Sequence, residues 1–247
     1  MIITIDGPAG SGKSTVARKL AARLGIAYLD TGAMYRVVTL AALEAGANLA
    51  DEAELIRVAQ TADFELDCGP THVRVTLGGR DVSEEIRSMR VNDHTPYIAA
   101  SPGVRRLLVE RQRQIGRRLG SMVTEGRDQG SVVFPEAEAK FFLDAALTKR
   151  AERRYHELLA DGIETTYEQV LENLERRDRT DSQRNVAPLI IPPEAVRIDT
   201  THMSVQQVID LMLEHLSRAG LPRAGQKPVS GSQQAGASPG VCPPRGP

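Results

Sequence analysis

Gly7-Pro8-Ala9-Gly10-Ser11-Gly12-Lys13-Ser14-Thr15 fills the pattern G-x-x-x-x-G-K-[ST] at every fixed position. Few segments this short restrict a fold so sharply, because the pattern works only as the turn between a buried strand and a helix. Ile2-Ile3-Thr4-Ile5 supplies a β-branched strand ahead of it, and from Lys13 onward Val16, Leu20 and Leu24 recur at i, i+4 and i+8, one helical stripe. A loop so placed leaves backbone N–H groups aimed inward at the positive end of a helix dipole, which is a polyphosphate cradle. Lys13 would reach the β- and γ-phosphates and the Ser14 hydroxyl would ligate Mg²⁺. The bland alternative, a glycine-rich turn with an incidental lysine, leaves the flanking strand and helix unexplained. The chain is expected to bind a nucleoside triphosphate through residues 7–15.

Strands and helices then alternate. Ala27-Tyr28-Leu29, Met122-Val123-Thr124, Lys140 to Asp144 and Val196 to Asp199 read as further strands. Helices are expected over Ala33–Glu44, Val104–Leu119, Thr148–Ala160 and Tyr167–Arg177. Ser204-x-x-Gln207 is a capping box opening a last helix, with Val205, Val208, Ile209, Met212 and Leu216 inward. The alternation implies a parallel sheet with helices on both faces. Between Asp63 and Val82 the rhythm breaks into alternating residues around Gly78-Gly79, the signature of a small antiparallel hairpin or three-stranded sheet. It reads as an insertion, and the residues leave open whether it serves a ligand or is decorative.

Composition sets the limits. The chain has 247 residues, enough for one sizeable core, and a net charge of −1, which offers no field to draw nucleic acid or an anionic membrane. Cys68 and Cys242 form no ligand pattern and suit a reducing compartment. No apolar run is long enough to span a membrane and no signal peptide is apparent, so a cytoplasmic protein is expected. From Leu221 to Pro247 there is no Asp or Glu, and Gly, Pro, Ser and Gln crowd the segment. Residues 221–247 therefore read as a disordered tail outside a domain of residues 1–220.

In doubly wound sheets ligands lie at the carboxyl ends of the strands. Those ends carry Asp6, Asp30-Thr31-Gly32, Glu125-Gly126-Arg127-Asp128 and Asp144. Thr31, Tyr35 and Arg36 offer hydroxyls and a guanidinium for a second anionic ligand, and Arg105 and Arg127 add two forks suited to bidentate contacts. Glu175 to Arg184, with Arg150, Arg153 and Arg154 upstream, forms an arginine-rich helical hairpin. Some of its charges would stabilise a migrating phosphoryl group, and others would form surface pairs such as Glu172 with Arg176. No catalytic base stands out, and a phosphate oxyanion acceptor needs none.

Five segments together resemble the bacterial cytidylate kinases: GPAGSGKST at Gly7–Thr15, DTGAMYR at Asp30–Arg36, GGRDVSEEIR at Gly78–Arg87, the EGRD to VVFP run at Glu125–Pro135, and Arg176 to Arg184. The likeness runs from Met1 to about Ala219. It implies an α/β fold of the P-loop NTPase type, a three-layer sandwich with a five-stranded parallel sheet. The small β insert at about 63–82 would belong to the monophosphate-binding part, and a lid would span about 150–184. It implies transfer of the γ-phosphoryl of ATP to CMP or dCMP with Mg²⁺, by a monomer. On the matching positions, Thr31, Tyr35, Arg36 and Arg127 would hold the acceptor phosphate. Arg105, Asp128 and Arg184 would read the base, and Arg177 and Asp181 would reach the sugar. Lys13, Arg127, Arg177 and Asp181 would carry catalysis. Pro96, beside Thr95, stands where some members have a base-reading serine, and Thr31 replaces a frequent serine while keeping the hydroxyl. A P-loop kinase for another small acceptor and a GTP-dependent switch are the competing readings; no N-K-x-D-like segment supports the switch.

Overall fold

The computed structural model describes residues 1–184 and 186–221. The tail expected from Leu221 onward, Leu221 itself excepted, lies outside the described residues, and Cys242 lies there with it.

β1 (Ile2–Asp6) runs into the glycine loop and α1 (Lys13–Leu24), which ends on Gly25 in the left-handed conformation. β2 (Ala27–Asp30) leads to α2 (Thr31–Glu44), and Asp30 caps that helix by accepting from the Ala33 amide at 3.0 Å. α3 (Glu52–Thr61) then precedes β3 (Phe64–Cys68), β4 (Val73–Leu77) and β5 (Arg80–Asp81). A single turn over Glu85–Arg87 leads to α4 (Met89–Ala100), α5 (Pro102–Leu119) and β6 (Met122–Gly126). A π-helical turn over Gln129–Val133 is followed by β7 (Ala139–Asp144), α6 (Leu147–Ala160), α7 (Tyr167–Gln183), β8 (Val196–Asp199) and α8 (Val205–Arg218). The expected capping box opens α8, Gln207 N donating to Ser204 Oγ at 3.3 Å and Ser204 N to Gln207 Oε1 at 2.8 Å.

β1, β2, β6, β7 and β8 form one five-stranded sheet in the order β2-β6-β1-β7-β8, with every pairing parallel. Side chains alternate across it, so each face needs its own cover. Ile3, Ile5, Tyr28, Val123, Phe141 and Leu143 pack on α1 and α8. Leu29 and Met122 turn to the other face, where α2, α3 and α5 close a second core through Val37, Leu55, Val104 and Leu108. The expected three-layer α/β sandwich is present. β3, β4 and β5 form the separate antiparallel sheet expected over this stretch, with Phe64 opposite Leu77.

β1 and β6 are neighbours whose outgoing connections run to opposite edges, β1 toward β2 and β6 toward β7. That reversal opens a crevice at their carboxyl ends. The α6–α7 hairpin stands beside it, with a small apolar core of Ala151, Leu158, Val170 and Leu174 that also takes in Ala9 of the loop after β1. α7 continues six residues past the expected end at Arg177. Its apolar residues stop at Leu174, and beyond them ion pairs replace the stripe as the support.

Candidate active site

The loop after β1 has the cradle geometry. Gly10 and Gly12 hold φ of 75° and 87°, left-handed values that a side chain disfavours. No side chain caps the first turn of α1. The amides of Gly10 and Gly12 have no acceptor among the described residues. Lys13 is folded back on the loop, its Nζ 2.6 Å from Pro8 O and 3.5 Å from Ser11 Oγ. Burial, followed by the nearby Arg127 guanidinium, pushes the Lys13 pKa down to about 7. Glu125, Asp181 and Asp6 favour the ammonium too weakly to offset this, and among the described residues none forms an ion pair with it.

Ser14 Oγ donates to Glu125 Oε1 at 2.8 Å, and the Tyr28 hydroxyl reaches the same oxygen at 3.4 Å. Glu125 lies near the end of β6 beside β1, so a carboxylate from a strand end and a hydroxyl from the first turn of α1 face each other at the mouth of the cradle. Among the described residues no three His, Cys, Asp or Glu side chains gather as a metal site. Two protein oxygens beside a phosphate cradle nevertheless suit Mg²⁺, which keeps most of its shell for water and phosphate.

Across the crevice the expected acceptor residues converge. Thr31 Oγ1 donates to Glu125 O at 2.7 Å from the first turn of α2. Asp30 is buried and receives Arg36 Nη2 at 2.9 Å and Arg87 Nη2 at 3.1 Å on one oxygen. Burial alone would raise its pKa, but the two guanidinium groups hold it below the usual carboxylate range. Arg105 is buried on α5, where it forms an ion pair with Asp128 and lies with its guanidinium 5.6 Å from the centre of the Tyr35 ring. Burial pushes the Tyr35 hydroxyl up to about 12.

The hairpin brings the remaining groups. Arg127 Nε lies 2.7 Å from Asp181 Oδ2, and Arg184 Nη1 lies 3.7 Å from Asp181 Oδ1. Burial would raise the Asp181 pKa, and Arg127 and Arg184 outweigh it and lower it. Arg177 makes no ion pair among the described residues; crowding of its head by protein, then the Arg127 charge, outweigh the Asp181 carboxylate and push its pKa down to about 10. Arg36 Nε, Arg105 Nε and Arg184 Nη2 are buried with no hydrogen-bond partner among the described residues. Unsatisfied donors of that kind are costly unless a ligand completes them.

Other arginines of the hairpin go elsewhere. Arg153 donates to Thr200 Oγ1 at 3.1 Å and Thr200 O at 2.5 Å, and Arg154 pairs with Glu157 at 3.1 Å. The surface pair on α7 is Glu175 with Arg179 at 3.7 Å, rather than the expected Glu172 with Arg176. Thr95, beside Pro96 inside α4, is turned away: its hydroxyl donates to Val91 O at 2.8 Å and accepts from Thr39 Oγ1 at 3.2 Å.

Two carboxylates that sequence reasoning left without a role organise the site. Glu125 faces Ser14, and Asp6, fully buried at the end of β1, accepts from the Gln129 and Gly130 amides, both at 2.8 Å, directly behind Asp128. Their position at strand ends was the available signal. Between the first turns of α6 and α7 and the loop after β8, Thr148, Lys149, Glu152, Tyr167, Thr201 and His202 line an open cleft of about 500 Å³.

The sequence profile of the family described as cytidylate kinase matches residues 3–218 of this chain. The chain is 47% identical over 216 residues to the cytidylate kinase of Caldanaerobacter subterraneus subsp. tengcongensis, covering 87% of this chain and 94% of that protein. It is 47% identical over 210 residues to that of Mycolicibacterium paratuberculosis, covering 85% and 92% of the two. With the cytidylate kinase of Carboxydothermus hydrogenoformans it shares 44% identity over 218 residues, covering 88% and 98%.

Proposed function

The chain belongs to the cytidylate kinase family, and from that membership we propose that it transfers the γ-phosphoryl of MgATP in line to the α-phosphate of CMP or dCMP. The products are ADP and CDP or dCDP. One observation supports the reading: Arg36 Nε, Arg105 Nε and Arg184 Nη2, on three of the residues assigned to the acceptor, are buried with no hydrogen-bond partner among the described residues.

In this reading residues 7–15 wrap the donor's phosphates and Lys13 swings from Pro8 O onto the β- and γ-phosphates. Thr31, Tyr35, Arg36 and Arg127 hold the acceptor phosphate. Arg105, Asp128 and Arg184 read the cytosine, and Arg177 and Asp181 reach the sugar. The cleft between Thr148 and His202 takes the donor's base. Phosphoryl transfer spreads charge over the migrating group, so catalysis is positioning plus charge stabilisation. Arg127 and Arg177 supply that charge, and the acceptor oxyanion attacks without a base. Ser14 and Glu125 would hold Mg²⁺, which when bound neutralises the phosphate charge. The protein works as a monomer in the cytoplasm, and residues 63–82 and 150–184 act as monophosphate-binding insert and lid. Among the described residues no helix is long and apolar enough to cross a membrane.

ADP release measured against CMP, dCMP, UMP, AMP and no acceptor tests the proposal. CMP and dCMP should be the fastest acceptors, because a base-reading site rejects ligands that leave its buried polar groups unpaired. Equal rates with AMP, or turnover without acceptor alone, would refute it.

A further inference from the structure

Arg150 belongs to the cationic hairpin, yet its side chain is 6% exposed and turned into the protein. Its Nε donates to Ala145 O at 2.9 Å, Nη1 to Ala9 O at 2.9 Å and Nη2 to Asp178 Oδ2 at 2.6 Å. One rigid fork therefore joins the glycine loop, the root of α6 and the middle of α7.

The contact with Ala9 has a stereochemical consequence. In a planar trans peptide the carbonyl and the following N–H point in opposite directions. Drawing the Ala9 carbonyl toward α6 turns the Gly10 N–H away from it, and that amide has no acceptor among the described residues. Packing fixes the same relationship independently. Ala9 is buried in the apolar core of the hairpin with Ala151 and Leu174, and a Cβ on Gly10 would lie 3.2 Å from Arg150 Cβ. The tip of the loop and the root of the hairpin are packed as one piece.

We propose that Arg150 is a positioning residue: it aims the Gly10 amide at a donor phosphate and, through Asp178, makes that aim depend on how α7 is seated. The inference rests on the reading of residues 7–15 as the ATP site and is independent of the acceptor's identity.

The test is calorimetric titration with MgATP and, separately, with CMP. The proteins are the full chain and its Arg150→Lys, Asp178→Asn and doubly substituted variants, with melting followed for each. Lysine keeps the charge but cannot make three directed bonds. Arg150→Lys should weaken MgATP by about tenfold or more while CMP changes less than about twofold. Asp178→Asn should weaken MgATP by a smaller factor, and the double variant should be little worse than Arg150→Lys, since both act through one fork. Unchanged MgATP affinity in Arg150→Lys overturns the proposal. So does a parallel loss of MgATP and CMP, or independent, additive losses. If Arg150→Lys does not fold, Asp178→Asn decides alone: it must weaken MgATP more than CMP. A wild-type protein that binds no MgATP refutes the nucleotide reading itself, before any variant is compared.

Discussion

Arg127, just past the end of β6, and Asp181, on α7, are 54 positions apart in sequence and meet with Nε 2.7 Å from Oδ2. Burial by itself would lower the Arg127 pKa, but Asp181 more than offsets this and raises it, so both groups stay ionised in each other's field. The pair joins the central sheet to the hairpin. In the proposed reading an incoming phosphate would compete with Asp181 for the same guanidinium, and seating of the acceptor would be tied to the position of α7.

Arg127→Ala should therefore lower kcat/KM for CMP by about 10³-fold or more, the scale of a transition-state arginine, with the fold retained. Steady-state assays together with circular-dichroism melting check this. A folded Arg127→Ala protein with near-normal turnover would remove Arg127 from the mechanism.

Glu125→Gln probes the proposed metal site. The amide keeps the shape and can still accept from Ser14, which donates at 2.8 Å in the parent, but it brings no charge to a cation. The half-saturating Mg²⁺ concentration should rise by about 10–100-fold, while the affinity for CMP without metal stays near the parent's. Activity measured across a Mg²⁺ series gives the answer; an unshifted curve would leave Glu125 with a purely structural part.

Lys13 makes a prediction about protons. In the folded chain burial, with Arg127 adding to it, pushes its pKa from 10.5 down to about 7. A pKa lowered in this way leaves part of the population neutral at pH 8. Binding a polyphosphate beside the amine favours the ammonium and pulls its pKa back up. MgATP binding at pH 8 should take up a fraction of a proton, seen as an enthalpy that varies with the ionisation heat of the buffer. Lys13→Met should lose that dependence. Identical buffer dependence in parent and variant would assign the uptake elsewhere.

Much of this architecture could be read in advance because its signals are local. α1 begins at Lys13 and ends at Leu24, as the spacing of Val16, Leu20 and Leu24 predicts, and the Gly78-Gly79 turn correctly marks the β4–β5 hairpin. The missed elements lack such signals. α4 contains Pro96 and buries only Val91 and Ile98, so neither propensity nor periodicity announces it; packing against α2 and α5 carries it. α3 has a clear cap in Asp51, whose carboxylate accepts from the Ala53 and Glu54 amides, but only three buried residues. In the candidate site the single groups were legible and their pairings were not. No spacing rule links Arg150 to Ala9 or Asp6 to Gly130, because each bond depends on where the sheet order sets two distant loops.

Asp6 gives the last prediction. Its side chain is wholly buried, and desolvation raises its pKa from 3.8 to about 6 even though the Gly130 and Gln129 amides pull the other way. Between those two values the folded chain holds a proton that the unfolded chain has released. The Asp6 contribution is thus fully present below pH 4 and is lost as the pH rises through 6, by about 3 kcal/mol in all. Asp30 and Asp181, whose pKa values are lowered, act in the opposite sense and at lower pH, where unfolded carboxylates protonate. Asp6→Asn removes the titrating group, so the stability difference between parent and variant should shift in the parent's favour on moving from pH 7.5 to 4.5. Denaturant melts at the two pH values measure it. A difference that does not change with pH would mean that the two amides compensate the burial of the carboxylate completely, and that the turn behind Asp128 is held at no electrostatic cost.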